Sequence, residues 1–257
     1  MKIFFTILGS GSSLGVPRID GNFGMCNPKN KKNYRTRCSA LLSTNNFNLL
    51  IDSSPDIRQQ FLTNKVKSLD CVFYTHQHAD QTHGINDLRF FYLKNKKQIP
   101  VFANKNTSKY LLNSFKYCFK KTSKFYPPIM KLKKLKKKHI FCKNKIKIRS
   151  FEVQHGSINS VCYTINNKLA YASDVSFIDK KKYLNLSKLK YFVVDCLREE
   201  AHPSHFNLEN VLQLISEIRP KYTILTNLHS SLDYEKLKKK LPKSVIPAYD
   251  GLKLIVN

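Results

Sequence analysis

Residues 74–84, "YTHQHADQTHG", hold three of the chain's eight histidines and an aspartate. They continue from "DCVFYT" (70–75), a short apolar run with the content of a buried strand. In an extended chain residues i and i+2 point to the same side. His76 and His78 therefore aim two imidazoles at one point, and Asp80 adds a carboxylate where the chain leaves the strand. Imidazole with carboxylate is a donor set for Zn, Fe or Mn. A lone histidine is most often a packing residue. Two with an aspartate at alternate positions of a strand end are much less often so.

One cluster does not complete a metal site, so further donors must arrive from other strand ends. The sequence offers His155 in "FEVQHGS", Asp174 in "LAYASDVS" and His229 in "YTILTNLHSSLDY". In each, an apolar strand gives way at once to a residue able to bind a metal. Asp52 in "NLLIDSSPD" follows the same grammar.

The rest of the chain supports a layered α/β (α+β) protein. Strands are expected at 2–8, 39–43 and 47–51 (a hairpin about "TNN"), 70–75, 100–103, 145–153, 161–172 turning at "NN", 190–196 and 221–227. Helices are expected over 55–63, 85–95, 107–119, 207–218 with Asn207 as cap, and 232–241. Residues 120–140 carry too many lysines to assign. This order predicts two sheets inside and helices outside, with no linker or repeat dividing residues 1–257, which read as one domain.

Composition narrows the function classes. A chain of 257 residues with 42% hydrophobic content can bury a core and is not of a disordered type. No apolar run approaches the ~20 residues of a membrane helix, and "MKIFFTILGSG" reads as a first strand rather than a leader, so a cytoplasmic protein without membrane partners is expected. The seven cysteines have no repeating spacing and read as thiols rather than a disulfide framework. The net charge of +28 is nearly all lysine, spread along the chain and densest in "KLKKLKKKH" (131–139). Arginine, the better reader of phosphates and bases, is scarce, so a nucleic-acid partner is not favoured. The loop G-S-G-S-S-L-G (9–15) lacks the Lys-Ser/Thr of a P-loop and reads as a turn, with a substrate-facing role open to it.

The ordered set Asp52, His76-x-His78-x-Asp80, His155, Asp174 and His229 resembles the metallo-β-lactamase superfamily over nearly the whole chain. "LGSGSSLGVPR", "CNPKNKKNYRTRCS", "GINDLR" and "HPSHFNLENVL" resemble the branch containing the phosphoribosyl cyclic phosphate phosphodiesterase of phosphonate breakdown. The resemblance implies an αββα sandwich of two mixed sheets flanked by helices. It implies two divalent ions, Zn or Mn with Fe admitted, sharing the water that hydrolyses a small phosphate diester, and it leaves a homodimer open. Carried over by position, His76, His78 and His155 would hold one metal, Asp80 the second, Asp174 both, and His229 would complete the set. Asp52 would orient the ligand loop. His205, before the helix at 207, would join Asp80 as a catalytic group and protonate the leaving oxygen, with His202 as a competitor.

The chain departs from the family pattern at two positions. Gln81 stands where His-x-His-x-Asp-His ends, with His83 two residues on as the other candidate. Asn227 stands where the branch has a histidine, with His229 two residues later. Arg35, Arg37 and Arg89 are candidates for phosphate contact or for bracing loops. A tRNA 3′-processing endoribonuclease, and a metal- or nucleic-acid-binding protein without catalysis, are the alternatives.

Overall fold

The computed structural model describes residues 2–121, 125–135, 140–143 and 146–256, with backbone alone at 134 and 140–143. The "KLKKLKKKH" patch falls partly outside this range, and the Cys142 side chain lies outside it. The chain's first strands are β1 (Phe4–Gly9), β2 (Ser39–Thr44), β3 (Phe47–Ile51), β4 (Cys71–Phe73), β5 (Ile99–Ala103) and β6 (Met130–Lys134). There follow β7 (Ile140–Lys143), β8 (Ile146–His155), β9 (Ile158–Ile165), β10 (Leu169–Ala172), β11 (Tyr191–Asp195), β12 (Tyr222–Thr226), β13 (Val245–Pro247) and β14 (Lys253–Ile255). They form two seven-stranded sheets, ordered β14-β1-β2-β3-β4-β5-β6 and β13-β12-β11-β10-β9-β8-β7.

Each sheet is mixed. In the first, β3 to β6 pair in parallel and β14, β1, β2 and β3 antiparallel. In the second, β10 to β13 are parallel and β7 to β10 antiparallel. The inner parallel strands are apolar on both faces, as a sheet covered on both sides requires, while the edge strand β6 alternates with lysines. In β11, Val193 points into the core shared by the two sheets, while Phe192 and Val194 point under the outer helices. In β3, Leu49 and Ile51 face the other sheet and Leu50 faces out.

Helices seal the outer faces. Over the first sheet lie α1 (Ile57–Thr63), α2 (Ala79–Thr82), α3 (Arg89–Asn95), α4 (Lys105–Ser114) and α5 (Lys116–Phe119). Ile57, Phe61, Phe91 and Leu111 pack there against Leu50, Val72 and Val101. Over the second sheet lie α6 (Leu208–Ile218) and α7 (Tyr234–Lys240), with Val211, Leu214, Ile218 and Leu237 on Phe192, Val194 and Leu225. The layers are helix, sheet, sheet, helix, as the order of elements predicts. No helix is long and apolar enough to cross a membrane among the described residues.

Local chemistry sets several boundaries. Asn207 caps α6 through its side chain, and Asn210 answers in a reciprocal capping box. Asn166 and Asn167 take positive φ (50° and 53°) in the β9–β10 turn, a conformation asparagine tolerates. The helix expected over 107–119 starts two residues earlier, where the Asn104 side chain accepts from Thr107 N–H, and it breaks at Phe115. The helix expected over 85–95 opens as a 3-10 turn, Ile85–Leu88, before α3. Two short edge strands, β13 and β14, are not evident in the sequence pattern.

Candidate metal centre

The C-terminal ends of the parallel strands converge at one edge of the sandwich, where an open α/β sheet binds its ligands. The loop after β4 brings His76 and His78 to this edge, β8 ends there in His155, and Asp174 follows β10.

The ring nitrogens His76 Nε2 and His78 Nδ1 lie 3.0 Å apart, and His155 Nε2 is 3.3 Å from His78 Nδ1. Three ligands at ~2.0–2.1 Å from a tetrahedral zinc would be ~3.3 Å from one another, so this spacing fits an ion at their centre. The tautomers agree. Asp52 is buried and accepts from Thr75 N–H and Thr75 Oγ1, each at 2.8 Å. With its only proton given to Asp52, Thr75 Oγ1 accepts from His76 Nδ1–H at 3.0 Å, which leaves the Nε2 lone pair facing inward. His155 donates Nδ1–H to the Ser204 carbonyl at 2.6 Å and likewise turns a lone pair inward. Burial pushes His76 down to about 3 and lowers His155 and His78, so the rings stay neutral. Neutral imidazoles at this spacing are a ready cation site.

Asp174 sits beside this pocket and is almost fully buried. Burial raises its pKa, but His76, His155 and His205 outweigh that and hold the carboxyl below its usual range. Asp80, at the start of α2, is pushed up to about 6 by burial and by Asp174. Gln81 is buried, and its Nε2 donates to Asp80 Oδ2 and to Asp174 Oδ2, both at 3.2 Å. Its Oε1 is buried without a partner. His83 is not part of this group. It is exposed, with Nε2 2.9 Å from the Tyr110 hydroxyl and its ring edge-on to Phe115.

The last position differs from the expectation drawn for His229. Asn227 is the residue against Asp174, with Nδ2 donating to Asp174 Oδ1 at 3.1 Å and to the Ser173 carbonyl at 3.0 Å. Its φ of 61° turns the side chain inward directly after β12. His229 lines the same cleft but turns its Nε2 to Arg18 at 3.1 Å and its Nδ1 to Ser231.

His205 reaches the centre from the loop before α6. Its ring lies 4.7 Å from that of His155, and Nδ1 donates to Asp195 Oδ2 at 2.7 Å. Burial lowers the His205 pKa, but the charge and bond of Asp195 reverse this and raise it to about 9, while burial lifts Asp195 to about 7. Ligand atoms of His155, Asp174 and His205 lie within 4.8 Å of one another, as do those of His76, His78 and His155. His202 stands 5.0 Å ring to ring from His205, with Nδ1 taken by Ser204. Asp195 was not among the residues singled out by sequence, although it closes an apolar strand just as Asp174 follows one.

His78, Asp80, His155, Asp174, His205 and Asn227 line a cleft of about 370 Å³, walled also by Ser12 and Ser13 of the glycine loop and by Arg198, with His76, Gln81 and Asp195 buried behind them. Arg35 and Arg37 brace loops. Arg35 is buried and donates to the carbonyls of His229 and Leu232, and Arg37 pairs with Asp56. Arg89 lies over the Tyr126 ring.

A family model, the beta-lactamase superfamily domain, matches residues 47–227. The chain belongs to the beta-lactamase superfamily. Within it, a diphosphatase of the PhnP family superposes with a TM-score of 0.91 at 29% identity, over 99% of this chain and 97% of that one. Human tRNase Z, short form, shares the superfamily fold at a TM-score of 0.71 and 14% identity, with 99% of each chain covered. An octanoyltransferase of Porphyromonas gingivalis is 31% identical over 255 residues, which is 98% of this chain and 51% of that protein. This superfamily member thus spans about half the length of the curated relative it matches.

Proposed function

We propose that the chain is a metal-dependent phosphodiesterase acting on a small phosphate diester, a cyclic sugar phosphate being one that fits. The observation that carries this reading is the His205–Asp195 pair, 2.7 Å apart, set against His155 of the three-nitrogen pocket. A proton donor beside an ion site is what cleavage of a diester needs, because the departing alkoxide must be protonated. The likeness to a PhnP-family diphosphatase supports phosphate as the reacting group.

His76, His78 and His155 would hold the ion, with Asp174 at its side. Zn and Mn both suit these donors. When bound, such an ion supplies Lewis acidity at the phosphoryl oxygens and lowers the pKa of a water towards neutrality. Asp52 and Thr75 keep His76 in the ligating tautomer. His205, protonated through its bond to Asp195, gives its Nε2 proton to the leaving oxygen, and Asp195 stabilises the charged ring until then. Arg198 and the Ser12–Ser13 turn line the cleft where non-bridging oxygens would lie. The octanoyl transfer named for the Porphyromonas relative is not carried to this chain, which spans half of that protein.

A second reading, tRNA 3′ processing, draws on the net charge of +28. The size of the cleft favours the smaller substrate. The deciding experiment is hydrolysis of bis-p-nitrophenyl phosphate, of a cyclic sugar phosphate and of a precursor tRNA by protein purified without chelator. The small diesters should be cleaved, and His78→Ala and Asp174→Ala should abolish turnover. Cleavage of the tRNA alone would select the second reading, and no turnover with added Zn or Mn would sink both.

A further inference from the structure

We propose that this chain holds one divalent ion tightly, at His76, His78 and His155, and that the side-chain amides of Gln81 and Asn227 take the place of a second. This deepens the reading above and rests on its metal centre. The position in question lies between Asp80 and Asp174, where the superfamily resemblance implies another ion.

The argument starts from which end of each amide faces the carboxylates. Asn227 is buried, and its Nδ2 lies 3.0 Å from the Ser173 carbonyl oxygen. A backbone carbonyl only accepts, so the NH2 end is fixed there. That same NH2 reaches Asp174 Oδ1 at 3.1 Å. Gln81 Nε2 reaches Asp174 Oδ2 and Asp80 Oδ2, each at 3.2 Å. Both oxygens of Asp174 and one of Asp80 therefore accept amide hydrogens from directions a cation would otherwise take.

Turning the Gln81 amide over would set Oε1 against two carboxylates, an arrangement that only an ion could stabilise. Turning Gln81 loses its two Nε2 bonds to these carboxylates but none at Oε1, which has no partner. Turning Asn227 would in addition leave the Ser173 carbonyl without the NH2 that satisfies it. Even with Gln81 turned, the second position gains one amide oxygen where the resemblance implies two imidazoles, and amide oxygen is the poorer ligand for zinc. The two amide dipoles meanwhile offset part of the buried carboxylate charge without any ion. The three-nitrogen pocket is the reverse case. His76 and His155 each spend Nδ1–H on a protein acceptor and face His78 with lone pairs. His205 is the remaining imidazole near Asp174. It stays with Asp195 as the proton donor, so its removal leaves the ion count unchanged.

The test is to load the purified chain with excess Zn2+ or Mn2+, pass it through gel filtration, and count metal and protein in the same fractions. Calorimetric titration of the apo chain with the same ions gives the affinities. The expected result is one retained ion per chain for the wild type and for His205→Asn. A second ion should bind at least on the order of a hundredfold more weakly, beyond the 10–100-fold cost of losing an outer-shell partner. The double variant Gln81→His with Asn227→His should retain two. Two retained ions of affinity within tenfold in the wild type would overturn the proposal, whatever the variants do. A folded double variant that still retains one would overturn the assignment to these amides. Diester hydrolysis on the same fractions separates the two claims. One ion without turnover sinks the phosphodiesterase reading and leaves the count. Two ions with turnover do the opposite, and no retained ion sinks both.

Discussion

The Arg37 guanidinium meets both oxygens of Asp56, at 2.6 and 2.8 Å, and the same carboxylate takes the Arg37 backbone N–H at 2.9 Å. This clamp ties the segment entering β2 to the start of α1, behind the loop that carries Asp52. Burial pulls the Asp56 pKa up, but the bonds and charge of Arg37 hold it below the ordinary range.

Arg37→Ala should therefore cost about 1 kcal/mol, the scale of a well-aligned but solvent-screened pair. The pH dependence has a definite sign. Asp56 is depressed in the folded state, so the clamp's contribution is complete above the unfolded value of about 4 and is lost as pH falls below it. Urea unfolding should give a constant gap between wild type and variant from about pH 7 to 5 and a narrowing gap below about pH 4. A gap that widens in acid would contradict this assignment.

Thr75→Val keeps the shape of the side chain and removes the hydroxyl between Asp52 and His76. The His76 ring then loses the acceptor that holds Nδ1–H, and metal affinity should fall about 10–100-fold, as for other outer-shell partners of a ligand. Chelator competition measures this. An unchanged affinity would mean that packing alone orients His76.

His205→Asn should lower kcat about 10²–10⁴-fold while metal content stays the same, the signature of a lost proton donor. Asp195→Asn should lower kcat too, and should also shift the basic limb of the pH–rate profile downward, because the charge that raises the His205 pKa is gone. A rate loss that tracks metal loss would instead make His205 a ligand.

Gly84 closes the "HADQTHG" run for a steric reason. A Cβ there would fall on the Ser54 carbonyl and sit 2.8 Å from Ile57 Cγ2. Gly84→Ala should destabilise the chain by about 1–3 kcal/mol, the range for overpacking, and should weaken metal binding, because Gly84 N–H bonds to the Ser53 carbonyl at 2.9 Å and moors the ligand loop. Thermal unfolding with and without Zn2+ reads both effects.

Much of this was legible in sequence because parallel strands announce themselves twice, by being apolar on both faces and by ending abruptly in a polar residue. His76, His78 and Asp174 follow strands of this kind, His155 ends the antiparallel β8 with its alternating burial, and the structure gathers all four at one edge. The layer order followed from where helical and extended periods alternate. Asp195 carries the same signal as the last residue of β11, and applying the rule to "KYFVVDC" would have found it. The choice between Asn227 and His229 was not legible. It turns on a positive φ at Asn227, a conformation asparagine tolerates without requiring, so residue type alone leaves the sign of the angle open. Nor could spacing say which end of the Gln81 amide faces Asp174, since that is decided by groups 93 residues away. The break at Phe115 and the strands β13 and β14 were missed because each is too short to show a period.

The three nitrogens of the pocket come from both sheets, His76 and His78 from the edge of the first and His155 from the second. An ion at their centre would act as a rivet through the seam of the sandwich. Loading would then be felt far from the cleft, as slower hydrogen exchange in β4 and β8 and as resistance to proteases that attack the opened seam. Metal supply would set how long the chain survives as well as how fast it works.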